Sequence, residues 1–126
     1  MKTIQIEILD FILPSFNHFY STNIHYTRRS SLVFKWKLII AHKLEKTLTK
    51  AEKESISKGK MMKVDIIISQ AKRRYDVDNC VMYGKIFLDC LKKYGIDDTP
   101  KTINSICYTI DLETRINKAI YKIIIP

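Results

Sequence analysis

The chain reads as a single α+β domain, a small mixed β-sheet with two main helices packed on one side, and three patterns predict it. Apolar residues alternate at Ile4, Ile6 and Ile8, as in a half-buried strand. A three- and four-residue spacing runs through Leu32, Trp36, Ile39, Ile40, Leu44 and Leu48, as in an amphipathic helix. Two further β-rich stretches, Lys63–Ser69 and Ala119–Ile125, are too short and too β-branched for helices. At 126 residues, 46% of them hydrophobic, the chain suffices for one core, so the domain is expected to span 1–126.

Taken in order, the first strand runs from Thr3 to Ile8. Pro14-Ser15-Phe16-Asn17-His18 breaks its pattern, and the segment up to about Ser30 has no helical period, so it reads as a polar, aromatic, basic loop. The first helix is expected from about Ser31 to Thr49 or somewhat beyond, with Trp36 in the core. The charged stretch Ala51–Lys60 fits either a continuation of that helix or a connection. Lys63–Ser69 reads as a central strand. Asn79 is a good N-cap for a second helix of about four turns, its apolar stripe marked by Val81, Gly84, Leu88 and Leu91 and its end set by Gly95. Thr102–Asp111 and Ala119–Ile125, separated by polar residues, predict a closing antiparallel hairpin.

The 22 Lys and Arg outweigh 13 Asp and Glu, a formal net charge of +9, which favours a polyanionic partner such as nucleic acid. The three cysteines, Cys80, Cys90 and Cys107, have neither the parity of a disulfide framework nor zinc-site spacing, so reduced, mostly buried thiols are expected. No segment reaches the ~18 apolar residues of a membrane span, and a cytoplasmic protein without membrane contact is the expectation.

Against this basic background the acids concentrate after the central strand. Asp76 and Asp78 are one residue apart, so in extended backbone both project to one side, within reach of a hard cation, magnesium or manganese. In a helix starting at Asn79, Lys85 and Asp89 return to nearly the azimuth of Asp78. Asp97 and Asp98 follow Gly95, where the chain can turn back towards the first two acids. Such a group repels itself without a cation. A bound metal could polarise a phosphodiester and activate water, with Lys85 neutralising developing charge. Each residue also has a plainer role: Asp and Asn cap helices, Lys85 and Asp89 fit an i,i+4 surface pair, and Asp97-Asp98 fits a turn. An EF-hand does not fit, because D-V-D-N-C-V lacks the glycine at its sixth position. Asn17, His18, Tyr20, His25, Tyr26, Arg28 and Arg29 combine amides, rings and cations suited to phosphates and exposed bases, and Arg73 and Arg74 add charge beside the acids.

Asp76-Val77-Asp78-Asn79, Lys85-Ile86-Phe87-Leu88-Asp89-Cys90-Leu91 and Gly95-Ile96-Asp97-Asp98 together resemble the RusA family of Holliday junction resolvases, especially its phage-type members. Pro14-Ser15-Phe16-Asn17-His18-Phe19-Tyr20 looks like the family's P-S-x-N-x-x-Y element, and order and spacing agree from about Ile4 to Ile103. The resemblance implies a RusA-like fold and a magnesium-dependent homodimeric endonuclease that resolves four-way DNA junctions by paired symmetric nicks, in recombination and repair, with no small-molecule cofactor. It places the essential acids on Asp76, Asp78 and Asp98, the catalytic lysine on Lys85, and a supporting acid on Asp89. The connection after Gly95 is shorter than in many members, so Asp97 stands as the substitute for Asp98. A non-catalytic branched-DNA-binding protein of the same fold is the alternative; a D-x-D transferase ranks last, for want of a glycine-rich phosphate loop.

Overall fold

The computed structural model describes residues 1–15, 19–20, 26–72, 77–96 and 101–126, giving only the backbone of 26, 27 and 78. Four strands, β1 (Lys2–Leu9), β2 (Met62–Ser69), β3 (Ile103–Ile110) and β4 (Lys118–Ile125), form one mixed sheet in the order β1-β4-β2-β3. Three α-helices accompany them: α1 (Tyr26–Thr47), α2 (Lys50–Lys58) and α3 (Val81–Leu91). The α+β class is as the sequence predicts, with α1 and α3 as the main helices.

Register explains the core. Ile4, Ile6 and Ile8 of β1 lie opposite Ile123, Tyr121 and Ala119 of β4, which in turn lie opposite Val64, Ile66 and Ile68 of β2. All nine are buried, so the period-2 faces of three strands form one continuous apolar surface. The helices contribute Ile40 and Leu44 from α1 and Ile86, Phe87 and Leu91 from α3 to the same cluster. On the other sheet face Gln5, Glu7, Lys63, Ser105 and Thr109 are exposed.

The expected hairpin of the last two strands does not form. β3 pairs only with β2, in parallel, and β4 runs antiparallel between β1 and β2. The connection carries the chain across the end of β2. Asp111 N donates to Ile68 O at 2.9 Å, Ala71 N to the Asn117 side-chain oxygen at 2.9 Å, and Phe11 N to Asn117 O at 3.2 Å. β4 is the strand suited to that central slot, with Ala119, Tyr121 and Ile123 fully buried, whereas β3 alternates with exposed polar residues and suits an edge. The parallel pairing of β2 with β3 requires a crossover, and α3 supplies it.

Other boundaries also differ from expectation. α1 begins at Tyr26, so Arg28 and Arg29 are helical. None of residues 28–31 is buried, which is why the period becomes visible only at Leu32. Trp36 is half-buried, its ring centroid 5.5 Å from that of Phe19, and Ile39 is exposed. The chain breaks at Thr49 and α2 starts there with a capping box: Thr49 Oγ1 accepts from Glu52 N at 3.1 Å, and Glu52 Oε1 accepts from Thr49 N at 3.0 Å. Asn79 is not a cap. A 3-10 turn spans Val77–Cys80, and Cys80 holds the N-cap position of α3, its side chain making no capping hydrogen bond to the helix. The three-turn helix buries Met82, Tyr83, Gly84, Ile86, Phe87, Cys90 and Leu91, while Val81 and Leu88 are half-buried. Cys80 and Cys90 are buried and Cys107 is exposed.

Three tyrosines tie α3 down. Tyr121 Oη donates to Tyr83 O at 3.1 Å, Tyr108 Oη to Val81 O at 3.4 Å, and Tyr83 Oη accepts from Leu13 N at 3.0 Å. Phe87 stacks on Tyr121 with centroids 4.1 Å apart. The helix sits this close because residue 84 has no side chain: a Cβ there would overlap the Tyr108 hydroxyl and come 3.2 Å from Ile66 Cδ1. Gly84→Ala is therefore expected to lower the unfolding free energy by about 1–3 kcal/mol, read from the urea midpoint, although alanine has the higher helix propensity.

Glu45 of α1 clasps the far end of the helical layer. It receives Lys53 of α2 at 2.9 Å, and Lys93 at 3.0 Å and the Tyr94 hydroxyl at 2.7 Å from the turn after α3. The hydrogen bond from Lys53 first, then those from Tyr94 and Lys93, draw its carboxyl from 4.5 down to about 2. A depressed carboxyl stabilises the fold fully above its unfolded value and loses that contribution as pH falls through its folded one. The difference in Tm between the protein and Glu45→Gln should therefore be constant above about pH 5, shrink as pH falls towards about 2, and be lost only below that.

Candidate functional site

α3 turns its apolar side to the sheet, and Lys85, between buried Gly84 and Ile86, is left exposed on the outer side. Its ammonium donates to the Tyr20 hydroxyl at 3.5 Å and lies 5.7 Å from the centre of the Tyr20 ring. The Arg29 guanidinium carbon of α1 lies 5.6 Å from the same centre. Both distances are within cation–π range. Tyr20 is itself fixed from below by buried Phe19, edge to face at 5.0 Å. Three expected site residues from separate stretches, Tyr20, Arg29 and Lys85, thus share one patch. Two cations around one exposed ring favour an anion, because each ammonium or guanidinium retains donors that the ring does not use.

Asp89 lies one turn beyond Lys85 and pairs with Lys37 of α1 at 3.2 Å and with Lys92 at 3.5 Å. It thereby cross-links α3 to α1. Arg28 is exposed on the first turn of α1. Of the expected stripe, Lys85 and Asp89 lie on α3 and Asp78 belongs to the 3-10 turn before it, its side chain outside the described residues.

Asn17, His18, His25, Arg73, Arg74, Asp76, Asp97 and Asp98 lie outside the described residues. Among the described residues no group of three or more His, Cys, Asp or Glu could hold a metal ion. The backbone around the acid-bearing segments is nonetheless informative. Val77–Cys80 enters α3 at one end; at the other, Gly95 closes the following turn in left-handed backbone at φ 79°. Nearby, Met61 N donates to Lys101 O at 3.0 Å at the start of β2. Eleven residues of α3 and three of the 3-10 turn separate the two ends by about 20 Å. As donors, carboxylates in a D-x-D arrangement suit a hard divalent cation.

One element of the site is absent from the sequence reading. Phe19, Tyr20, Arg29, Val33, Phe34 and Lys37 line a concavity of about 470 Å³ beside the cationic patch. Its signal was present: Phe34 and Leu38 stand four residues apart, off the buried stripe of α1, and are 63% and 54% exposed.

No protein-family model matches the chain, and no curated protein matches it. Among the described residues no helix is long and apolar enough to cross a membrane.

The pairs made by Asp89 are partly exposed, so if it serves only to link the helices, Asp89→Asn should cost no more than about 1 kcal/mol in urea unfolding, and less in high salt.

Proposed function

We propose that the chain is a RusA-type, magnesium-dependent endonuclease that acts as a homodimer on branched DNA, resolving four-way junctions by paired nicks. The observation that carries this reading is the meeting of Lys85, singled out beside the acids, with Tyr20 and Arg29 of the basic, aromatic segment in one exposed cationic patch. A net charge of +9 supports a polyanionic substrate.

In this reading the patch grips the phosphodiester. Lys85, held by Tyr20, neutralises charge that builds on the phosphate oxygens, and Arg29 offers a second set of donors to the same backbone. Arg28 adds a further cation on α1, and Asn17, His18, Arg73 and Arg74, outside the described residues, would supply further donors to the DNA. Asp76, Asp78 and Asp98, with Asp97 as substitute, would hold the magnesium ion, which when bound polarises the phosphodiester and lowers the pKa of water.

Two opposed nicks in a two-fold junction are most simply made by two identical sites related by a two-fold axis. In the sequence reading Asp76, Asp78 and Asp98 hold the ion within each protomer. Because α3 keeps Val77–Cys80 and Gly95 about 20 Å apart, we assign the metal group instead to two copies, Asp76 and Asp78 of one with Asp98 of the partner subunit.

The protein is expected to nick a synthetic four-way junction in magnesium and to be inert in chelator. Asp78→Asn should abolish nicking and retain binding, since losing an acid reduces repulsion of DNA. Mixed Asp78→Asn and Asp98→Asn proteins should regain nicking, each heterodimer keeping one intact site. Failure of the mixture alone would overturn the shared site. Metal-independent binding without nicking, indifferent to Asp78→Asn, would establish a non-catalytic DNA-binding protein.

A further inference from the structure

We infer that the concavity beside Tyr20 is a pocket for one unstacked nucleotide of a bound strand, its base against Phe34 and its phosphate towards Arg29 and Lys85. The inference rests on the reading of the chain as a DNA-binding protein and names the form in which DNA is held.

The volume, about 470 Å³, falls within the ~300–1,000 Å³ of ordinary small-ligand pockets. Its floor is apolar and aromatic, with buried Phe19, half-buried Val33 and the 63% exposed ring of Phe34. A phenylalanine this open on a helix is not explained by the core, since Ile40 and Leu44 already form the buried stripe of α1. Charge gathers on the Tyr20 side: Arg29 and Lys85 both approach that ring, while Lys37 at the other margin is engaged by Asp89 at 3.2 Å. A ligand that satisfies both halves carries a flat π surface and an anion a few ångströms away, and a nucleotide has that form.

The surroundings argue against a second copy of the chain as the occupant. A two-fold contact lays a patch on itself, and here it would press the lining cations Arg29 and Lys37 of one copy against the same cations of the other, in a chain already at +9. A nucleic-acid strand brings the opposite charge.

Binding of a fluorescent single-stranded oligothymidylate and of an abasic phosphodiester of equal length should be compared by anisotropy in chelator. The base-bearing strand is expected to bind about tenfold more tightly. Phe34→Ala and Phe34→Leu should both remove that preference and leave affinity for the abasic strand unchanged, with Tm near that of the unsubstituted protein because the side chain is largely exposed. Thymidine monophosphate should compete only weakly. Equal affinity for the two strands would overturn the proposal, as would a mononucleotide competing as well as the strand, or a dimer in sedimentation that Phe34→Ala dissociates. Because the assay contains no magnesium, failure to nick a junction would leave the pocket standing, and loss of base preference would leave the nuclease reading standing.

Discussion

The close seating of α3 on the sheet is the constraint on which the remaining arrangement depends. Gly84 lets the helix approach Tyr108 and Ile66, the Phe87–Tyr121 stack fills the space beside it, and Tyr83 and Tyr121 close the hydrogen bonds that this contact buries. With one side of α3 fixed against β2 and β4, Lys85 has to face outward. The same packing makes α3 the crossover that lets β2 and β3 run parallel, and its length separates Val77–Cys80 from Gly95.

Electrostatics then organises the outer side. Where cations are paired, as Lys53 and Lys93 with Glu45 or Lys37 and Lys92 with Asp89, they join helices to one another. Around Tyr20, Lys85 and Arg29 instead border an aromatic ring next to a concavity. An ion pair satisfies its lysine locally, whereas a cation over a ring retains donors for an incoming anion. That difference in partner separates the structural basic residues from those proposed to meet DNA.

Much of the fold was legible in the sequence because alternation and helical spacing report directly which side of an element is buried. β1, the central position of β2, the stop at Gly95 and the mixed sheet all follow from such local signals. The placement of β4 does not: both β3 and β4 read as strands, and only long-range bonds through Asn117 and Asp111 send β4 across β2. The phase of α3 was obscured because apolar residues occupy nearly all of its circumference. The start of α1 was obscured because its first turns are polar. Thr49-Lys50-Ala51-Glu52 did carry a capping-box signal for the start of α2, outweighed in the reading by the surrounding charge. For the site, residue types and spacing singled out Lys85, Tyr20 and Arg29, but their meeting is a property of packing between α3, α1 and the segment before it. Phe34 and Leu38 do stand one turn apart, but that pair is outweighed by the longer apolar spacing through Leu32, Trp36, Ile40 and Leu44.

In the proposed function Asp76, Asp78 and Asp98 would jointly hold a divalent cation. Paramagnetic broadening of the amide resonances of isotopically labelled protein during titration with manganese tests it most directly. The account predicts early, selective loss of signals from Val77–Cys80 together with those of Ile96 and Lys101, reversed by excess magnesium and abolished in Asp78→Asn. Broadening confined to acids elsewhere, such as Glu45 or Asp111, or unaffected by Asp78→Asn, would contradict it.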